Sequence, residues 1–288
     1  MTTHYSIGSV TSRDGTAIGF RQLGRGPGVV LLHGTMSSGL HHSQLGELLA
    51  DAFTVYLPDR RGRGLSGPYS EADTMQQEVD DLDALLTQTG ARNVFAVSSG
   101  AIILLQAASS LPAIGKAAIF EPPLFDDDAK PIAVLTRYDR EIAQGKVVAA
   151  LITAMKGAQL GPPMFGVMPR WLLELLTGRY MASQDKKPTG DYVPMRELAP
   201  MIHYDFQLVA DMSGKIESFA GMRAEALLIG GSKSPAYLKA ALDALQQVLP
   251  QAHRVELPGL DHAASWNADM GGRPEPVAQD LRRFFAEG

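Results

Sequence analysis

The sequence predicts an α/β fold, a mostly parallel twisted sheet flanked by helices, with a helical segment inserted late in the chain. Three observations lead there. Short apolar runs alternate with stretches of helical period through the first 120 residues. Several of those runs are apolar throughout, as in Gly28-Val29-Val30-Leu31-Leu32, which suits strands buried on both faces. After Phe120 the alternation stops for about ninety residues and then resumes.

Taken in order, residues 5–10 and 16–22 predict a leading hairpin, with Asp14-Gly15 supplying the tight turn. A buried strand follows at 28–32, then a helix at 43–49, a strand at 53–57, an acidic helix at 75–89 and a strand at 93–97. A helix of small residues spans 99–108, and 116–120 is one more short apolar strand. Glu121-Pro122-Pro123 then breaks the chain. Helical stretches at 132–143, 147–156, 170–180 and 194–211 follow without any strand-like run between them. The βα rhythm returns with a strand at 224–230, a helix at 237–248, a strand at 253–257 and an amphipathic helix at 277–287. The economical division is 1–124 as the first part of a sheet domain, 125–215 as a helical cap insertion, and 216–288 as the second part of the sheet domain. No internal repeat or low-complexity linker interrupts it.

Composition removes several chemistries. At 288 residues and 45% hydrophobic, the chain has enough apolar material for a large core. It has no cysteine, which excludes disulfides, thiolate metal sites and a thiol nucleophile. A formal charge of -5 gives no attraction for phosphate backbones, and the basic knot of Arg60, Arg61 and Arg63 is short, so no nucleic acid partner is expected. The longest apolar stretches fall short of the ~20 residues a membrane span needs, and the N-terminus carries no signal-peptide pattern. The expectation is a cytoplasmic chain without a membrane partner. No two histidines have a metal-ligand spacing, so neither a metal nor a cofactor is expected.

The chemistry concentrates at strand ends. In Ala96-Val97-Ser98-Ser99-Gly100 a strand runs straight into a helix, and a serine on that sharp turn is lifted clear of the sheet, with small residues two before and two after. The competing reading is a serine that merely caps the helix. His33-Gly34-Thr35-Met36 follows the apolar strand and places a glycine-loosened loop where backbone N–H groups can meet an oxyanion. Asp59-Arg60-Arg61-Gly62-Arg63-Gly64-Leu65-Ser66 follows the next strand. In this order and strand context the segments resemble the α/β-hydrolase superfamily, whose members carry an HG loop, a D-x-R-G-x-G-x-S loop, a nucleophile elbow and a late histidine. The resemblance spans residues 15–285 apart from the cap.

It implies an α/β-hydrolase fold with Ser98 as nucleophile and backbone N–H groups of Thr35 and Ser99 as the oxyanion hole. Of seven histidines only His262 follows the last strand on a loop free to reach the elbow, which makes it the base. The acid departs from the family's commonest pattern, because Gly231-Ser232-Lys233-Ser234 puts a serine where an aspartate is usual. Glu121, at the end of the strand after the elbow, is the leading replacement. Asp261, Asp211 and the other acids near the cap's end remain alternatives, and Glu121 has a competing role as ion-pair partner of a loop residue such as Arg60.

These roles imply a cofactor-independent serine hydrolase acting on small, hydrophobic carboxylic esters or lactones, as a monomer or homodimer. The cap is rich in flexible apolar side chains, and Met36, Met168 and Trp171 are the candidate substrate-binding residues. Two other classes stay open: a ligand-binding or signalling module with slow or no turnover, and a lyase or acyltransferase on the same scaffold.

Overall fold

The computed structural model describes residues 5–70, 74–159, 164–186 and 192–286; Glu287, placed in the last helix above, and the side chain of Met164 lie outside the described residues. The chain runs β1 (Ser6–Thr11), β2 (Ala17–Gly24), β3 (Gly28–Leu32), α1 (Ser43–Leu49), β4 (Thr54–Pro58), α2 (Met75–Thr89), β5 (Asn93–Val97), α3 (Ser99–Ser110) and β6 (Lys116–Phe120). It then leaves the sheet for α4 (Ala129–Ala143), α5 (Val147–Gly157), α6 (Met164–Val167), α7 (Arg170–Lys186), α8 (Met195–Leu198) and α9 (Ile202–Met212). The sheet is completed by β7 (Glu225–Gly231), α10 (Ala236–Val248), β8 (His253–Leu257) and α11 (Pro274–Ala286).

The eight strands lie in the order β1-β2-β4-β3-β5-β6-β7-β8. Only β2 runs against its neighbours, and every pairing from β4 to β8 is parallel. The continuous apolar strands are explained by their two-sided burial. In β5, Val94 and Ala96 join a core packed by α2, α3 and α10, while Phe95 and Val97 join a second core packed by α1 and α11. Strands β3, β6 and β7 divide their side chains the same way.

From β3 the chain turns to β4 on one side and then to β5 on the other. Such a reversal opens a crevice at the carboxyl ends of the two strands. Registers Leu32↔Ala96 and Val97↔Phe120 therefore set the loop after β3, the residues after β5 and the residues after β6 side by side.

The helical segment between β6 and β7 has a small core of its own, built from Tyr138, Ala150, Leu151, Ala154, Met181, Ala199 and Ile202. Helix α9 does double duty, since Leu208, Val209 and Met212 belong to the sheet-facing core. The single helix expected over 194–211 is divided in two, because Pro200 supplies no N–H to a continuing helix and a tight turn at Ala199–Met201 separates α8 from α9. The sequence pattern did not reveal the four-residue α6.

Candidate active site

Ser98 sits between β5 and α3 with φ 59 and ψ -129. A non-glycine residue held there stores about 1–3 kcal/mol of backbone strain, so the surroundings must enforce it. Its N–H donates to the Phe120 carbonyl (3.0 Å), and its carbonyl accepts from the Ala101 N–H (2.9 Å). The small neighbours are required by space: a Cβ on Gly100 would fall 2.5 Å from the His33 carbonyl oxygen, and one on Gly34 would fall 2.7 Å from the Ser98 Cβ.

Glu121 directly follows β6 and is fully buried, at a positive φ of 47. Its Oε1 accepts from the Gly231 N–H at 2.6 Å, and its Oε2 lies 2.7 Å from His262 Nδ1. An ionised carboxylate only accepts, so Nδ1 carries the ring proton and donates it to Glu121. Nε2 is then left as the basic nitrogen. Among the described residues no hydrogen bond joins His262 to the Ser98 hydroxyl. The end of β7, where the family's usual acid would stand, serves Glu121 through Gly231, and Ser234 is buried with its Oγ unpartnered among the described residues. The other acids are occupied elsewhere: Asp261 accepts from the Ala263 N–H in its own turn, and Asp211 from Gln207 along α9.

Thr35, in the loop after β3, and Ser99, the first residue of α3, are joined through their hydroxyls at 3.2 Å. Ser99 Oγ also donates to Asp205 Oδ1 (2.9 Å) and accepts from Arg60 Nη1 (3.2 Å). With its one proton given to the carboxylate, Ser99 accepts that of Thr35. Asp205 comes from α9 and is clamped by Arg60 Nη1 (2.7 Å) and Arg63 Nη2 (2.6 Å), while Arg60 forks onto Glu78 of α2 at 2.5 and 3.0 Å. All four charged groups are buried. The two guanidinium groups hold the Asp205 carboxyl below its ordinary range against the opposing effect of burial. The basic knot is thus an internal ion-pair lattice, with Arg61 likewise forked onto Asp81 at 2.6 and 2.7 Å. Arg60 pairs with Glu78 and Asp205 rather than with Glu121.

His33 braces the same loops. Its Nε2 accepts from the Arg60 N–H (3.0 Å), so Nδ1 carries the proton toward the Gly34 carbonyl (2.9 Å). Complete burial and the nearby arginines hold its pKa well below the ordinary value, which keeps the ring neutral.

The three candidate substrate contacts are placed very differently. Met36 follows Thr35 at a positive φ of 54 and packs against the core of the helical segment, at the seam above the elbow. Met168 is half-buried in the turn before α7, its carbonyl accepting from Lys156 Nζ. Trp171 is 67% exposed on α7, outside the buried cluster. An open groove of about 790 Å³ lies between α4, α5 and α7, lined by side chains including Arg137, Arg140, Lys146 and Glu174, and none of the elbow residues borders it. Among the described residues no group of three or more His, Asp or Glu side chains is placed to hold a metal ion. Among them, too, no helix is long and apolar enough to cross a membrane.

The sequence reading missed Asp205. The available signal was a lone acid between Ile202 and Val209, among Ile202, Phe206, Leu208 and Val209, together with Glu78 and Asp81 one turn apart and three arginines to be paired.

Comparison with known proteins agrees with the fold. The model of the alpha/beta hydrolase family matches residues 29–280. A solved alpha/beta hydrolase from Sphaerobacter thermophilus superposes with a TM-score of 0.78 at 30% identity, over 96% of this chain and all of that one. The enol-lactonase of Burkholderia xenovorans gives a TM-score of 0.69 at 18% identity, over 97% of this chain and 100% of that one. A cis-3-alkyl-4-alkyloxetan-2-one decarboxylase from Shewanella oneidensis is 24% identical over 96% of this chain and 87% of its own length.

Proposed function

The chain belongs to the alpha/beta hydrolase family, and from that premise we propose that it is a cofactor-independent serine hydrolase cleaving small, hydrophobic carboxylic esters or lactones through an acyl-enzyme on Ser98. The observation that carries this reading is the buried Glu121 carboxylate, 2.7 Å from His262 Nδ1, at the strand edge from which Ser98 projects. That pair leaves His262 Nε2 as the base. Hydrogen bonds between base and nucleophile are commonly long in a free enzyme and tighten only with substrate.

Ser98 Oγ attacks the acyl carbon as its proton passes to His262 Nε2, and the carbonyl electron pair moves onto oxygen. The N–H groups of Thr35 and Ser99 receive that oxyanion. Collapse breaks the ester C–O bond, and His262 returns the proton to the leaving alkoxide. Water then repeats the sequence, freeing the carboxylic acid and restoring Ser98. In a lactone the alkoxide stays tethered to the acyl group until that second step. Helices of residues 125–215 form the cap in this reading, with Met36 at its seam contacting the substrate's apolar part.

Two relatives support the ester and lactone class by what they act on: one is an enol-lactonase, and the other takes an oxetan-2-one, a four-membered lactone. The latter is a decarboxylase, so lyase chemistry is the second reading.

The test compares wild type with Ser98→Ala on p-nitrophenyl acetate, butyrate and octanoate at about pH 7–8, following phenolate. Turnover lost in the variant, with a fluorophosphonate adduct mapped to Ser98, is the expected result. A folded wild type that neither turns over nor labels would overturn it. Carbon dioxide released from a β-lactone without any hydroxy acid would move the assignment to a lyase.

A further inference from the structure

One side of α4 presents Thr136, Arg137, Arg140 and Glu141, at the spacing by which helical side chains share a face. With Lys146 at the turn into α5, and Arg170 and Glu174 at the start of α7, that face lines the open groove of about 790 Å³. The groove brings the cations Arg137, Arg140, Lys146 and Arg170 against the carboxylates of Glu141 and Glu174, an excess of positive charge in a chain whose formal charge is -5. The cations are spread over residues 137–170, so no basic run marks them in the sequence.

Hydrogen bonding decides what such a groove can hold. Both Glu141 oxygens are taken: Oε1 accepts from Arg137 Nε (3.1 Å) and Arg170 Nη2 (2.7 Å), and Oε2 accepts from Thr153 Oγ1 (2.5 Å). Burial opposes ionisation there, yet the bonds from Thr153, Arg137 and Arg170 hold the carboxyl below its ordinary range. Glu174 Oε1 accepts from Arg170 Nε at 2.7 Å. Arg140 and Lys146 have no carboxylate partner among the described residues. What remains free is therefore mostly donor: the Arg140 guanidinium, the Lys146 ammonium, the Arg137 Nη groups and the Thr136 hydroxyl. The start of α5 adds to this, since its first turn holds no acid and Lys146 gives it no side-chain cap.

We propose that the groove between α4, α5 and α7 is a second binding site, which takes a small phosphorylated anion. A phosphoryl group suits these donors better than a single carboxylate, because its three oxygens accept from several sides, a guanidinium fork spans two of them, and an ammonium meets the third as a point charge. The groove has the volume of a small-molecule site and shares no residue with the elbow. The proposal is independent of the reaction assigned to Ser98.

Calorimetric titration with inorganic pyrophosphate at fixed ionic strength tests it. Wild type and Ser98→Ala should each bind one pyrophosphate per chain with Kd below about 1 mM. Arg140→Gln/Lys146→Gln should weaken binding at least ~10-fold, and citrate, an anion with carboxylates only, should bind wild type at least ~10-fold more weakly than pyrophosphate does. Arg140 and Lys146 are both exposed, and an unchanged melting temperature without the anion shows that the double variant is folded. Because the chain has no cysteine, Ala133→Cys carries a unique environment-sensitive dye at the groove, and its emission should shift with the same midpoint as the calorimetric titration. No saturable binding by wild type overturns the proposal, as does full affinity in the double variant. Binding lost in Ser98→Ala overturns it by placing the anion at the elbow, and citrate bound as tightly as pyrophosphate overturns the assignment to phosphate.

Discussion

The Ser99 hydroxyl donates to Asp205 at 2.9 Å, joining the residue after the elbow to a helix 106 positions later in the chain. Through it Ser99, whose N–H the proposed mechanism gives to the oxyanion, is tied to a buried lattice of Arg60, Arg63 and Glu78. Asp205→Ala would leave two buried guanidinium groups short of a counter-charge. Thermal or urea unfolding should show a loss of about 3–5 kcal/mol. Asp205→Asn keeps the shape but weakens the clamp. If the lattice sets the Ser99 N–H, that variant lowers kcat severalfold with KM nearly unchanged; an equal effect on both would refute the coupling.

Glu121→Gln is the sharpest test of the acid. Glutamine at 2.7 Å from Nδ1 cannot stabilise an imidazolium, and its amide favours the wrong ring tautomer. Ester turnover should fall by about 10³–10⁴, with substrate binding largely retained. Activity within threefold of wild type would remove Glu121 from the machinery.

Much of this was legible from residue types, and the reasons are local. Strands such as Gly28–Leu32 and Asn93–Val97 are apolar on both faces and have one reading. The elbow was legible because a small residue two positions after the serine, here Gly100, answers a crowding that a side chain there would not fit. The partner of His262 was narrowed but left open, since Glu121 and the competing acids differ only in how far the chain brings them, and sequence does not encode that distance. Asp205 was visible as an acid among apolar residues, but its partners were not, for the same reason. Its significance lies in Arg60 and Arg63, more than 140 positions earlier. Trp171, largely exposed on α7, shows what composition leaves open, because an aromatic residue in an apolar segment reads the same whether it faces substrate, core or solvent.

Gly100→Ala separates steric demand from sequence habit. Its new Cβ would meet backbone, the His33 carbonyl at 2.5 Å, which cannot swing aside as a side chain would. Displacing the loop or the elbow should destabilise the fold by roughly 1–3 kcal/mol and reduce turnover at least tenfold. Alanine tolerated on both counts would mean that the loop after β3 is free to retreat from the elbow. Crystallography of the variant would show it directly.

Acid sensitivity follows from the buried histidines. His41 and His42 lie in the turn just before α1, and burial lowers each from the ordinary 6.5 to about 4, while burial and the nearby arginines lower His33 as well. Unfolding returns them to the ordinary value, so between pH 6.5 and 4 the unfolded chain binds more protons than the native one. Stability is therefore full above pH 6.5 and falls as pH drops through that window. From pH 7 to 5 each of His41 and His42 should cost about 2 kcal/mol, which for a chain of this size is a fall of several degrees in Tm. His42→Asn retains a donor toward the Ser265 carbonyl, which His42 Nδ1 contacts at 2.9 Å, but does not titrate. Scanning fluorimetry at pH 7, 6 and 5 should show a shallower slope for this variant. A slope equal to that of wild type would place the acid sensitivity in other groups.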